Sequence, residues 1–195
     1  RHANHVALAD VAWISRMMPT HGDGSADVHI VNGTDPRDLD YVLTNLDVRA
    51  TRSRITGGFT ATATRNTSIT NLALDLQPLD LDLVRELLGD SVPKKVWQGT
   101  LTGTVRGAGG RLQHLRFDDI QLAFSDRRIG GAVSHASLAG VISVEQAGAE
   151  MHDLEVRLLD LNVRTLGAIS TSADSLYGFL SGRVVLDGPM RDFAF

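Results

Sequence analysis

Residues 72–83 read LALDLQPLDLDL, and this stretch alternates apolar and polar residues but changes phase once. Leu72, Leu74 and Leu76 share one parity; after Gln77 and Pro78 the leucines resume at Leu79, Leu81 and Leu83 on the other. Period two is the mark of a strand with one face buried. A slip of one residue inside such a strand means a β-bulge or a sharp bend, because only an extra residue keeps both halves on the same face. The slip recurs between Leu8 and Val11 and between Leu158 and Leu161, with Leu76 and Leu79 standing near the middle of that interval. A chain that repeats a bent, half-buried strand has to build a β-sheet from repeated units. Leu76 and Leu79 are both expected on the apolar side.

A second signature follows each bend. Residues 97–107, WQGTLTGTVRG, place Trp97, Gly99, Leu101, Gly103 and Val105 on one parity and Gln98, Thr100, Thr102, Thr104 and Arg106 on the other. A phosphate-binding glycine loop would join a strand to a helix, and a glycine helix seam would need a long apolar segment around it. Neither context is present, so this is a strand with glycines on its apolar face. Leu176, Gly178, Leu180, Gly182 and Val184 repeat the pattern further along the chain. A strand glycine lets another group approach the backbone. That group is either a neighbouring sheet layer or a ligand, and these ten residues are the candidates for lining a groove. In the first copy, residues 24–33 carry a diverged version with Ala26, Val28 and Ile30 on one face.

Between bend and glycine strand lie short helix-like pieces, ISRMMPTHG, VRELLGD and VRTLGAIS. Residues 38–50 and 55–64 read as a strand pair joined through TRSR, and LQHLRFDDIQLAF with GGAVSHASLAGVISV repeats that pairing. Turn signals at RGAGGR, SDRRIGG, EQAGAE and LDGPMRD separate the strands. The expectation is a mainly β antiparallel meander that curls into a U-shaped sheet. Each unit holds about five strands and one short helix, with approximate units at 1–67, 68–149 and 150–195. The chain begins at Arg1 and both ends fall inside a unit, so it reads as part of a longer array whose terminal strands have unpaired edges.

Composition narrows the chemistry. There is no cysteine, which excludes thiolate metal sites, disulfides and cysteine nucleophiles. A net charge of −4 with only two lysines offers no basic stripe for nucleic acid. The longest uncharged run, residues 129–144, is too short and too polar for a membrane helix. None of the seven histidines (His2, His5, His21, His29, His114, His135, His152) forms a metal-binding pair with a nearby acid, and there is no nucleophile elbow. Asp80 and Asp82 read as the solvated outer face of one strand. Arg49, Arg52 and Arg54 cluster at a hairpin turn, where they are either ordinary exposed arginines or contacts for lipid phosphates.

The unit LDLDLVRELLG, QGTLTGTVRG, LQHLRFDDIQLAF resembles the repeats of the AsmA-like superfamily, including TamB-type proteins of diderm bacterial envelopes. The resemblance spans most of residues 72–195 and, more loosely, the first seventy. It implies a long β-groove with an apolar interior, attached to the inner membrane through a segment absent from this chain and projecting into the periplasm. It also implies handling of phospholipid or other acyl chains, with neighbouring repeats of the same chain as packing partners. Two functions follow: a non-enzymatic groove that holds or conducts acyl chains, or a scaffold subunit docking on the periplasmic face of a membrane complex. No cofactor and no catalytic residue is expected.

Overall fold

The computed structural model describes residues 2–7, 21–33, 38–63, 68–88, 98–111, 114–145, 148–168 and 175–189. Ten strands form one antiparallel sheet in which spatial order equals chain order. They are β1 (His2–Ala7), β2 (Asp23–Asn32), β3 (Leu39–Ala50), β4 (Ser53–Ala63), β5 (Ser68–Asp80), β6 (Gly99–Arg111), β7 (His114–Asp126), β8 (Ala132–Glu145), β9 (Gly148–Asn162) and β10 (Phe179–Pro189). A helix, α1 (Leu81–Leu88), follows β5; short 3₁₀ segments η1 (Arg127–Ile129) and η2 (Val163–Ala168) follow β7 and β9. Among the described residues the sheet does not close: β1 pairs only with β2, and β10 only with β9. The accessible surface is 11865 Å² for a 21.0 kDa chain, where a compact fold of this mass exposes about 9,000 Å². A single layer of strands exposes both of its faces, which raises this area.

The phase slips are bulges. The β5–β6 register shifts between Leu76 and Leu79, and the β9–β10 register shifts between Leu158 and Leu161. Leu76 is 8% exposed and Leu79 packs against Ala50 and Leu83, so both point to the apolar side. The slip between Leu8 and Val11 lies outside the described residues. A bulge does not end a strand, and this corrects the strand count. Each bent strand runs through its bulge as one strand, so β5 and β9 are separated by four strand steps rather than about five. Row by row, Gly24, Gly103 and Gly182 lie opposite Val6, Leu76 and Leu158. In sequence Gly103 stands midway between Gly24 and Gly182, so the three mark one repeating position.

The alternation of Leu79, Leu81 and Leu83 does not continue as strand. The strand stops at Asp80 and the helix begins at Leu81. The Asp80 carboxylate accepts the N–H of Asp82 at 3.0 Å, and Ser53 Oγ accepts the N–H of Asp80 at 2.8 Å. These two bonds satisfy donors at the helix start and turn the chain out of the sheet. Leu83, within the first turn, folds back onto Ala50. The same device closes β9: Ser134 Oγ accepts the N–H of Asn162 at 3.0 Å, and Asn162 Oδ1 accepts the N–H of Arg164 at 3.1 Å. Asp126 does likewise for η1, accepting from the Arg128 backbone at 2.9 Å.

Further bulges recur in most strand pairs. Register shifts lie at Ala3/Val6, Ser25/Asp27, Leu43/Leu46, Gly58/Thr60, Phe117/Ile120, Ala139/Val141 and Leu186/Gly188, whereas β6 and β7 pair without a shift. Asn45, Asn71 and Asp153 sit at these bulges with φ of 52°, 54° and 48°. Asn and Asp tolerate that left-handed conformation better than other side-chain-bearing residues. Bulges bend the strand and increase its twist, so bulges repeated in many of the strands favour a curled sheet.

A candidate apolar binding face

Residues directly opposite each other in a sheet share a face, so the registers sort the side chains. One row runs Val6, Gly24, Val48, Ile55, Leu76, Gly103, Leu122, Ala136, Leu158, Gly182, one residue from each of the ten strands. The next, two residues along, includes Leu46, Gly57, Leu74, Val105, Ile120, Leu138, Val156 and Val184. Beyond the further bulges, Ile30, Tyr41, Ala61, Ile69, Gly110, Leu115, Ile142, Met151 and Gly188 form another. The extra residue at each bulge is what keeps that row on the same face. This face is apolar across the full width of the sheet. Four of its members, Leu76, Ile120, Met151 and Leu154, are buried, although no described strand stacks on them. In a single layer this burial comes from side chains of neighbouring rows converging as the sheet curls.

The opposite face is a polar ladder. Its central row is Asp47, Thr56, Asp75, Thr104, Gln121, Ser137, Arg157 and Arg183. Arg54 donates both Nε and Nη2 to Asp47 at 2.9 Å, and Arg49 joins through Nη2 at 2.9 Å. Hydrogen bonds from Arg54 and then Arg49 hold the Asp47 carboxyl well below the usual carboxylate range. Arg106 reaches Asp75 at 2.7 Å. Glu155 binds Arg157 at 2.6 Å and Arg183 at 2.7 Å, and is lowered mainly by the Arg157 bond.

Of the ten groove candidates, Trp97 lies outside the described residues. Gly99, Leu101, Gly103 and Val105 lie in β6, and Leu180, Gly182 and Val184 lie in β10 opposite Leu161, Leu158 and Val156 of β9. Leu176 and Gly178 precede β10. The structure thus brings Leu101, Gly103 and Val105 onto one face with Leu180, Gly182 and Val184. The role given to the β6 glycines needs correction. Gly103 has φ +142°, and a Cβ built there would lie 1.9 Å from the Gln121 carbonyl oxygen of β7. At Gly99 a Cβ would lie 2.0 Å from the Ser125 carbonyl oxygen. The close neighbour is therefore the backbone of the next strand in the same sheet, neither a second layer nor a ligand. Gly178 and Gly182 have nothing within 4 Å.

The acidic pair and the turn arginines are also reassigned. Asp80 is 2% exposed, not a solvated strand residue. It lies 3.0 Å from Arg52 and 3.1 Å from Arg127, and Asp82 on the helix lies within 3.8 Å of both arginines. The hydrogen bond from α1 is what draws Asp80 inward. Arg49 and Arg54 are held by Asp47 and Arg52 by Asp80, so all three turn arginines are engaged with the protein's own carboxylates. Asp126, fully buried, binds Arg128 at 2.7 Å, and Arg128 continues to the Thr165 carbonyl at 3.1 Å. Alternation alone does not expose this end-of-sheet network, which depends on which strand ends are adjacent. Among the described residues no cluster of three metal-ligating side chains stands together, and no helix is long and apolar enough to cross a membrane.

Comparison of the chain with family models, with curated proteins and with solved structures returned no match.

Proposed function

We propose that this protein is a non-enzymatic module whose curled apolar face holds acyl chains, as the resemblance to AsmA-like repeats also implies. The observation that supports this most is the continuity of the apolar rows across ten strands with no described strand stacked on them. Nine interstrand spacings of about 4.8 Å make the face about 43 Å wide, enough for an acyl chain of one leaflet, roughly half of a 30 Å hydrocarbon core. Each methylene taken from water onto it contributes about 0.8 kcal/mol. The face carries no charged group in its central rows, so contact is non-directional and a chain can shift along it. The setting proposed is the periplasm, with attachment to the inner membrane by another segment.

Native mass spectrometry of protein purified under non-denaturing conditions tests the reading. The expected result is phospholipid carried with the protein, displaced by added palmitate, and reduced in a Leu138→Gln variant that melts cooperatively. A lipid-free protein that also fails to bind palmitate overturns it and leaves the scaffold function in its place.

A further inference from the structure

On the rim where β5, β7 and β9 end, two side-chain contacts join strands that are not adjacent. Asp80 at the end of β5 lies opposite Thr100 of β6, and Thr100 lies opposite Ser125 of β7. Just past Ser125, Arg127 Nη2 donates to the Asp80 carboxylate at 3.1 Å, and its Nη1 lies 3.5 Å from Asp82. Arg128 turns the other way. Its Nε and Nη2 donate to Asp126 at 3.2 and 2.7 Å, and the same Nη2 donates at 3.1 Å to the Thr165 carbonyl in η2, beyond the end of β9. The segment carrying both arginines is itself fastened. The Arg127 N–H donates to the Gln98 carbonyl at 2.9 Å, and the Gly131 N–H to the Asp126 carbonyl at 2.8 Å. Two consecutive arginines thus link the ends of β5, β7 and β9 past the starts of β6 and β8.

Backbone ladders hold adjacent strands but tolerate rotations between them of roughly −10° to −35°. The curl of a single layer is the sum of such rotations. Contacts between adjacent strands leave it free to vary, whereas a contact between second neighbours fixes it. The two links differ in kind. Asp126 is fully buried and the Arg128 side chain 23% exposed, so that pair is shielded from salt. Arg127 is 44% exposed and shares Asp80 with Arg52, which is 62% exposed. Pairs that water reaches in this way weaken as salt or a competing anion is added. We infer that Arg127 and Arg128 form a strap that sets the curl of the sheet, with Arg128 as its fixed anchor and the Arg127–Asp80 contact as a latch that salt releases. The strap regulates the width of the apolar face to which acyl chains were assigned above. The inference concerns the shape of the sheet, however, and its test needs no ligand.

The chain has no cysteine, so two introduced cysteines carry spin labels without interference. Gln77 in β5 and Leu159 in β9 are exposed and hold equivalent places just after Leu76 and Leu158. They lie four strand steps apart, about 19 Å in a flat sheet. Pulsed electron–electron double resonance on the Gln77→Cys, Leu159→Cys protein reads the distance between them. Adding Arg127→Gln is expected to lengthen it by about 2 Å or more and to widen its distribution, as freed interstrand rotation requires. Adding Arg106→Gln instead removes an ion pair between the adjacent strands β5 and β6 and is expected to leave the distance unchanged. Raising salt from about 0.1 M to about 1 M is expected to lengthen the distance when Arg127 is present and to add nothing in its absence. Arg52 stays beside Asp80 in the Arg127→Gln protein, so a cooperative melt is expected; the salt series on the protein with Arg127 intact carries the test if that variant does not fold. A distance that salt leaves unchanged, or that Arg127→Gln leaves unchanged in a folded protein, overturns the inference. So does an equal lengthening in Arg106→Gln.

Discussion

The carboxylate of Asp80 lies 3.0 Å from Arg52 and is 3% exposed, while the Arg52 side chain is 62% exposed. The pair is lopsided: the acid is locked in place by α1 and by Ser53, and the base can return to water. Replacing Asp80 with alanine removes a helix cap and two charge-assisted bonds, a loss expected to be about 2–3 kcal/mol. Asp80→Asn keeps an acceptor for the Asp82 N–H and is expected to lose about half as much. Urea denaturation measures both. An Asp80→Ala loss no larger than that of an ordinary surface substitution, about 0.5 kcal/mol, would show that the cap carries little.

The Asp47 cluster makes stability pH-dependent in a stated direction. Its folded-state pKa is depressed, first by Arg54 and then by Arg49, against about 3.9 in an unfolded chain. The contribution is therefore fully present above about pH 4 and is lost as pH falls toward the folded value. Glu155 acts in the same sense through Arg157 and Arg183. The melting temperature is expected to be level from about pH 7 to pH 5 and to drop below about pH 4. Asp47→Asn is expected to melt lower at neutral pH and to drop less steeply in acid. Calorimetric scans across this range check it; parallel curves for the two proteins count against the assignment.

Gly103 and Gly182, equivalent positions of two repeats, should respond oppositely to the same change. Gly103→Leu puts a side chain at φ +142°, against the Gln121 carbonyl, and is expected to cost at least about 2–3 kcal/mol or prevent folding. Gly182→Leu meets open space and is expected to leave stability within about 0.5 kcal/mol. Thermal melts of both variants decide, and equal losses would contradict the distinction between an internal and an edge strand.

Asn71 occupies a left-handed position with φ 54° inside β5. Asn71→Val forces a β-branched residue there and is expected to destabilise by about 1–2 kcal/mol. Asn71→Gly removes the strain and is expected to be neutral or slightly stabilising. A chemical-denaturation series reads both; tolerance of valine would mean that the bulge relocates along the strand.

The apolar face is legible in the sequence because alternation is a local signal, and the slip from Leu76 to Leu79 marks its bulge directly. The further bulges follow the same rule but escape a search for leucine alternation alone. Leu43/Leu46, Ile69/Leu72, Phe117/Ile120 and Met151/Leu154 each place two apolar residues three apart, with Asn or Asp just before the second. An Asx residue at a phase change inside a strand is the signal that finds them. The glycines fall on the apolar face as their parity requires. Their role is not legible, because it depends on φ and on which carbonyl lies alongside. Asp80 is misread for a related reason: LDLDL looks like one strand until a cap turns it into a helix, and alternation has no term for that hydrogen bond.

Four is an even number, and the geometry of the repeat follows from it. A unit of four antiparallel strands returns the chain to its starting direction, so every copy is added by translation without inversion. The ends of β5, β7 and β9 consequently fall on one rim of the sheet, which gathers Asp80, Asp126 and Asn162 with their arginines and short helices on that side alone. A unit of three or five strands would send successive copies to opposite rims and scatter these caps. The even count gives the sheet a permanent difference between its two long margins, because the buried carboxylates Asp80 and Asp126 and the short helices that follow them are all gathered on one of them.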